Sequence, residues 1–223
     1  MGMQPAVYRV ETPRVVVRCW MPEDAPLAKK AEDESRDHLR PFMLWADRIP
    51  ESLGEVIDKL RLFRSWFDAG EDFMFGAFST DDGSCIGGAG LHPRVGKGGI
   101  EIGYWVHVDH VRKGIATEMA GALTRAAFEI ARMRWVEIRT APQNVASSAV
   151  PGKLGFVHEA TLKDRLVLTN GEVTDALVFT MLARDYAASA ASSRSILGKS
   201  RWFVGSSRTS AHACLPRPVA SAS

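Results

Sequence analysis

Arg112, Lys113 and Gly114 stand where the apolar, strand-like run GYWVHV gives way to a helical pattern that begins at Ile115, Ala116 and Thr117. The first N–H groups of a helix have no intrahelical acceptor, and the helix dipole adds partial positive charge at the same end. A glycine at such a junction permits a turn or a close approach that a side chain would block. Ala116 keeps the following turn small, and Arg112 and Lys113 add cations. The combination is a seat for phosphate. It is not a Walker loop, which requires GxxxxGK followed by Ser or Thr, and no GxGxxG with a following strand and helix occurs in the chain.

Other residue types suited to chemistry are scattered. Glu101 lies within the strand-like run GIEIGYWV, Asn144 opens the short helical segment NVASSAV that contains Ser147, and Arg40, Phe42 and Trp45 fall in the loop HLRPFMLWADR. Each has an ordinary reading as well: a solvent-facing strand acid, a helix cap, and core aromatics. Cys85, His92 and His107 show no Cys/His pairing with an orienting acid that would mark a nucleophile. The cysteines, Cys19, Cys85 and Cys214, are odd in number and lack metal-ligand spacing, so they read as three free thiols and no metal site is expected.

These residues need elements to hold them. RVVVRCW reads as a strand, PEDAPLAKKAEDES as a helix with Pro22 in its opening turn, and Ser52 to Ala69 as a second helix with Val56, Leu60, Phe63 and Phe67 on one face. DFMFGAF, SCIGGAGL and GIEIGYWV then read as an antiparallel meander. A third helix carries Ile115, Met119, Leu123, Ala126 and Ile130 on one face and leads into the strand WVEIRTA. A short helix around NVASSAV, a strand over 157–165, the hairpin signal TNGE and a last strand DALVFTML complete the order. The pattern predicts an α/β (α+β) domain with one central mixed sheet.

At 223 residues with 46% hydrophobic content, one main domain is expected. No apolar run approaches the ~20 residues of a membrane span, and the N-terminus lacks a signal-peptide core, so a cytoplasmic protein without membrane partners is expected. The net charge of +2 is unevenly placed: residues 187–223 hold five cations and no acid, leaving residues 1–186 with a net charge of −3. A basic tail of this kind allows a nucleic-acid-associated reading, which the acidic body opposes. Rich in Ala and Ser and without sustained periodicity, the tail reads as a disordered appendage to a domain spanning 1–186, with Trp202 and Phe203 able to dock on the body.

The segments TPRVVVRCW, HLRPFMLW, EIGYWV, RKGIATEM and NVASSAVPGKLGF, in that order between Thr12 and Tyr186, resemble the GNAT superfamily of acyl-CoA N-acyltransferases, in its Rim-type ribosomal-protein branch. The resemblance implies a single domain whose mostly antiparallel sheet of about seven strands, flanked by about four helices, splays open at the cofactor site. It implies an N-acetyltransferase that moves acetyl from acetyl-CoA, without a metal, to a primary amine of a protein N-terminus or a small molecule, as a monomer or homodimer. A non-catalytic acyl-CoA-binding module is the alternative. Carried over, the pyrophosphate rests on the Arg112 to Thr117 backbone, the pantetheine arm on Val106 and Val108, the pantetheine or the adenine-side backbone of the cofactor on Asn144, and the acceptor on Arg40, Phe42 and Trp45. Glu101 becomes the base, Ser147 the proton donor, and the Val106 N–H the group that polarises the carbonyl. The family's tyrosine position holds Pro151, and Pro151 with Gly152 is expected to interrupt the helix there.

Overall fold

A computed structural model describes residues 7–192 and 201–204. Its nine strands are β1 (Val7–Glu11), β2 (Val15–Cys19), β3 (Phe73–Ser79), β4 (Cys85–His92), β5 (Gly99–Val106), β6 (Trp135–Thr140), β7 (Val157–Val167), β8 (Val173–Leu182) and β9 (Arg201–Val204). They form one sheet in the order β7-β8-β6-β5-β4-β3-β2-β1-β9. Every pairing is antiparallel except that of β5 with β6. The helices are α1 (Ala25–Leu39), α2 (Leu53–Ala69), α3 (Ile115–Arg125), α4 (Val145–Lys153) and α5 (Ala183–Ser192). A π-helical turn, Ala126–Ile130, prolongs α3.

The sheet is a wall between two helical layers. On one face α3 buries Ile115, Met119 and Leu123 against Val15, Val17, Ile100 and Ile102. Each such side chain contributes about 1.5–3 kcal/mol by leaving water. On the other face Ala25, Ala28 and Ala31 of α1 and Val56 and Leu60 of α2 pack on Trp20 and Phe78. The small residues of α1 let the helix approach closely. Ser52 and Glu55 form a capping box at the start of α2, and Gly70 ends it in the left-handed conformation. Beneath α1, Arg18 and Asp24 form a buried two-pronged ion pair at 2.6 and 2.7 Å.

The α/β class and the order of the interior elements match the sequence reading, with two strands and one helix more than expected. β1 was hidden by Arg9, a charged residue in the middle of a strand, which is buried and paired with Glu11 at 2.9 Å. At the other end the expected boundary after Tyr186 falls inside α5, and β9 pairs with β1 through Trp202 opposite Val10 and Phe203 opposite Arg9. Residues 187–223 are therefore corrected from a uniformly structureless tail at 187–192 and 201–204; the others lie outside the described residues. Cys19 is disulfide-bonded rather than free. Cys85 is the free, buried thiol among the described residues, and Cys214 lies outside them.

Candidate functional site

The site begins where two parallel strands part. β5 and β6 pair only at Gly99, Ile100 and Glu101, opposite Trp135, Val136 and Glu137, although β5 runs on to Val106 and β6 to Thr140. The divergence opens a cleft of about 790 Å³ that reaches both faces of the sheet. Its size is that of a site for a cofactor-sized molecule. Tyr104, Val106, the α3 N-terminus and α4 line one side; Trp105 with Leu39, Phe42 and Met43 lines the other.

At the junction expected to seat phosphate the backbone is distorted. Gly114 caps α3 with φ +80°, and Arg112 holds φ +59°, an unfavourable value for a residue with a side chain. Arg112, Gly114, Ile115, Ala116 and Thr117 all face the cleft. Lys113 does not line it; its carbonyl accepts from Arg14 Nη1 at 2.7 Å, and Arg14 also grips the Glu118 carboxylate at 2.6 Å. A turn between β1 and β2 thus braces the loop from behind. Lys153 at the end of α4 adds a cation to the lining that the sequence reading missed. Burial, then the proximity of Lys113 and His107, holds the His110 imidazole at the cleft wall below its ordinary pKa. The orphan N–H groups, Arg112 and Lys153 suit a pyrophosphate, and the slot between β5 and β6 suits a narrow, amide-bearing arm.

Val106 lines the cleft, whereas Val108 is past the strand end and its N–H is spent on Ser35 Oγ at 3.1 Å. Asn144 is both a lining residue and the cap of α4, its side chain accepting from the Ser147 N–H at 3.1 Å. Ser147 Oγ lies 3.2 Å from the Tyr104 hydroxyl, which donates in turn to the Ser147 carbonyl at 3.0 Å. Burial pushes the Tyr104 phenol up to about 12, keeping it protonated at any physiological pH. Tyr104 stands on β5, whereas the family's tyrosine position falls on α4 and holds Pro151. The expected break at Pro151 does not occur: α4 runs through Pro151 and Gly152 to Lys153.

On the other side Phe42 lines the cleft. Trp45 packs behind it against Trp105, ring centres 5.8 Å apart, and Arg40 is turned to Asp47 at 2.8 Å. Thr169 at the β7–β8 hairpin donates to the Arg40 carbonyl at 2.5 Å and so joins the hairpin to this loop. Glu101 is not among the lining residues. Both its carboxylate oxygens are held by Arg94, at 2.6 and 3.0 Å, and Arg139 stands 3.9 Å away. Residues 14–157 match the family model described as an acetyltransferase (GNAT) domain.

A Bacillus subtilis (strain 168) protein whose name gives it provisionally as a ribosomal N-acetyltransferase, YdaF, is 36% identical over 107 residues, 47% of this chain and 57% of its own length. The match thus spans little more than half of that relative. A crystal structure titled as a probable acetyltransferase superposes with TM-score 0.71 at 27% identity, covering 78% of this chain and 95% of its own. Mycobacterium smegmatis RimJ in complex with CoA-disulfide superposes with TM-score 0.70 at 23% identity, over 85% and 98% of the two chains, a likeness of fold.

Proposed function

The chain belongs to the GNAT acetyltransferase family, and from that premise we propose that it carries acetyl from acetyl-CoA to a primary amine, with a protein N-terminus as the acceptor, by direct attack in a ternary complex. The observation that carries the reading is the parting of β5 from β6, which joins a phosphate seat on one face of the sheet to an aromatic groove on the other through a single opening. A long cofactor and an acceptor entering from opposite faces meet there.

A thioester brings an activated acyl group, so no covalent enzyme nucleophile is needed. The α3 N-terminus, Arg112 and Lys153 hold the phosphates. Free N–H groups of β5 beyond Glu101 orient the carbonyl and stabilise charge developing on its oxygen. The Ser147–Tyr104 pair, protonated and hydrogen-bonded at the cleft wall, supplies the proton for the leaving sulfur. Trp105, Phe42, Met43 and Leu39 present an apolar floor that excludes water from the amine. The names of relatives as ribosomal acetyltransferases support a protein N-terminus over a small amine.

Incubation with acetyl-CoA and a panel of Ala-, Ser- and Met-initiated peptides, spermidine and an aminoglycoside, read by product mass spectrometry, tests the proposal. Acetylation of a peptide α-amine is expected. Binding of acetyl-CoA with no acetylated product from any amine would leave only a binding module and overturn it.

A further inference from the structure

On the groove face of the sheet one imidazole is set in a seat made for it. His92 ends β4, where Gly90 pairs with Gly103 and His92 pairs with Glu101. Side chains alternate along a strand, so His92, Gly90 and Gly88 share a face with Glu101, Gly103 and Trp105. A Cβ on Gly90 would overlap the His92 ring, and one on Gly103 would lie 3.1 Å from Nε2. The two glycines therefore make a side-chain-free floor on which the ring lies; His92, like Glu101, does not itself line the cleft, but its ring points along the sheet toward Trp105, a cleft-lining residue about 7 Å further on at two residues' rise.

The ring's other nitrogen is fixed. His92 Nδ1 lies 2.6 Å from Asp72 Oδ1, which also accepts from the Phe73 N–H at 3.0 Å. In the tautomer whose Nδ1 donates to Asp72, the neutral ring keeps its lone pair on Nε2, and no partner occupies Nε2 among the described residues. The neighbouring charges are already matched: Glu101 by Arg94 and Arg139, and Glu137 by Arg139 at 2.8 Å. The carboxylate beside the seat has its oxygens engaged by arginine, whereas the imidazole has a free acceptor atom and an orienting acid.

We propose that His92, oriented by Asp72, is the catalytic base that deprotonates the acceptor ammonium, in place of Glu101. The proposal rests on the acetyltransferase reading. Nε2 takes one proton from R–NH3⁺; the freed amine nitrogen bonds to the acyl carbon as the C–S bond breaks; the Ser147–Tyr104 pair protonates the departing thiolate to CoA thiol and is itself reprotonated by the second amine proton, and the imidazolium returns its proton to water. Asp72 is a positioning residue, acting only through the ring.

The test uses the full chain with acetyl-CoA and whichever panel amine the wild type acetylates. His92→Gln should lower kcat by about 10²–10⁴ while the CoA dissociation constant stays within about threefold of wild type. The acid-side fall of kcat/KM, with Arg94, Glu101, Glu137, Arg139 and the rim residue His38 of α1 as the other charged or titratable groups of this face, should vanish in the variant. Asp72→Asn should lower kcat at least tenfold, and NMR titration of His92 should show its ring protonating at lower pH than in the wild type, a readout independent of turnover. His92→Gln retaining more than a third of kcat with the acid limb unchanged, or Glu101→Gln alone abolishing turnover and that limb, would overturn the proposal. A wild type that binds CoA and acetylates nothing would overturn the enzyme reading itself, and the base assignment with it.

Discussion

The Tyr104 hydroxyl donates to the one carbonyl of α4 that Pro151 cannot serve. In a regular helix the N–H of residue 151 would bond the carbonyl of Ser147; proline has none, and the phenol on β5 takes its place at 3.0 Å. The same hydroxyl is 3.2 Å from Ser147 Oγ. A helix defect thus becomes a tether between the strand that parts from the sheet and the helix that closes the cleft. Tyr104→Phe should cost about 1–3 kcal/mol by stranding that carbonyl, with a loss of turnover. In a Pro151→Ala background, where residue 151 can donate again, the stability cost should shrink. Urea unfolding of the four proteins of this cycle checks it; an equal cost in both backgrounds would separate Tyr104 from the defect.

The phosphate seat makes a second prediction. Gly114 holds a left-handed backbone at φ +80°. Gly114→Val forces a β-branched residue into that conformation and should abolish the rise in melting temperature that CoA gives the wild type, a rise equivalent to about 2.7 kcal/mol at a hundredfold excess over its dissociation constant. Arg14→Gln removes the brace on the Lys113 carbonyl and Glu118 without touching the lining. Because Arg14 is half exposed, stability should change by less than about 1 kcal/mol while CoA binding weakens roughly tenfold.

Cys85 should be inert. Burial pushes its thiol up to about 12, so the thiolate is absent at neutral pH, becomes appreciable only as pH rises toward that value, and nucleophilic chemistry at this position is excluded. Iodoacetamide labelling of the native protein at pH 7–8, followed by peptide mass spectrometry, should leave Cys85 unmodified and modify it after denaturation.

Removal of the chain after Tyr186 should lower the melting temperature. It deletes most of α5 and the β9 strand that covers β1, leaving an open sheet edge. Thermal melting and gel filtration of full-length and shortened proteins check this; an unchanged melting temperature with unchanged oligomeric state would show that β9 adds nothing to the edge.

The elements around the proposed cofactor seat were legible because their signals are local. The RKG junction and Asn144, three residues before Ser147, each act within one helical turn. The rest depends on approach through space. Asp72 and His92 are 20 residues apart and meet only because β3 and β4 fold back on each other. Tyr104 and Ser147 are 43 apart and are joined by a missing N–H that sequence displays but does not aim. Glu101 has the residue type and strand position for a base, yet Arg94, seven residues earlier in the turn before β5, reaches its carboxylate. The β1–β9 contact brings distant parts of the chain together, which periodicity does not register.

The most direct measurement is a crystal structure of the complex with CoA. Pyrophosphate oxygens are expected within hydrogen-bonding distance of the backbone N–H groups between Arg112 and Thr117, with the pantetheine arm in the opening between β5 and β6 and the thiol near Ser147 and Tyr104. Pyrophosphate bound elsewhere, or an arm that leaves the β5–β6 opening empty, would contradict this placement.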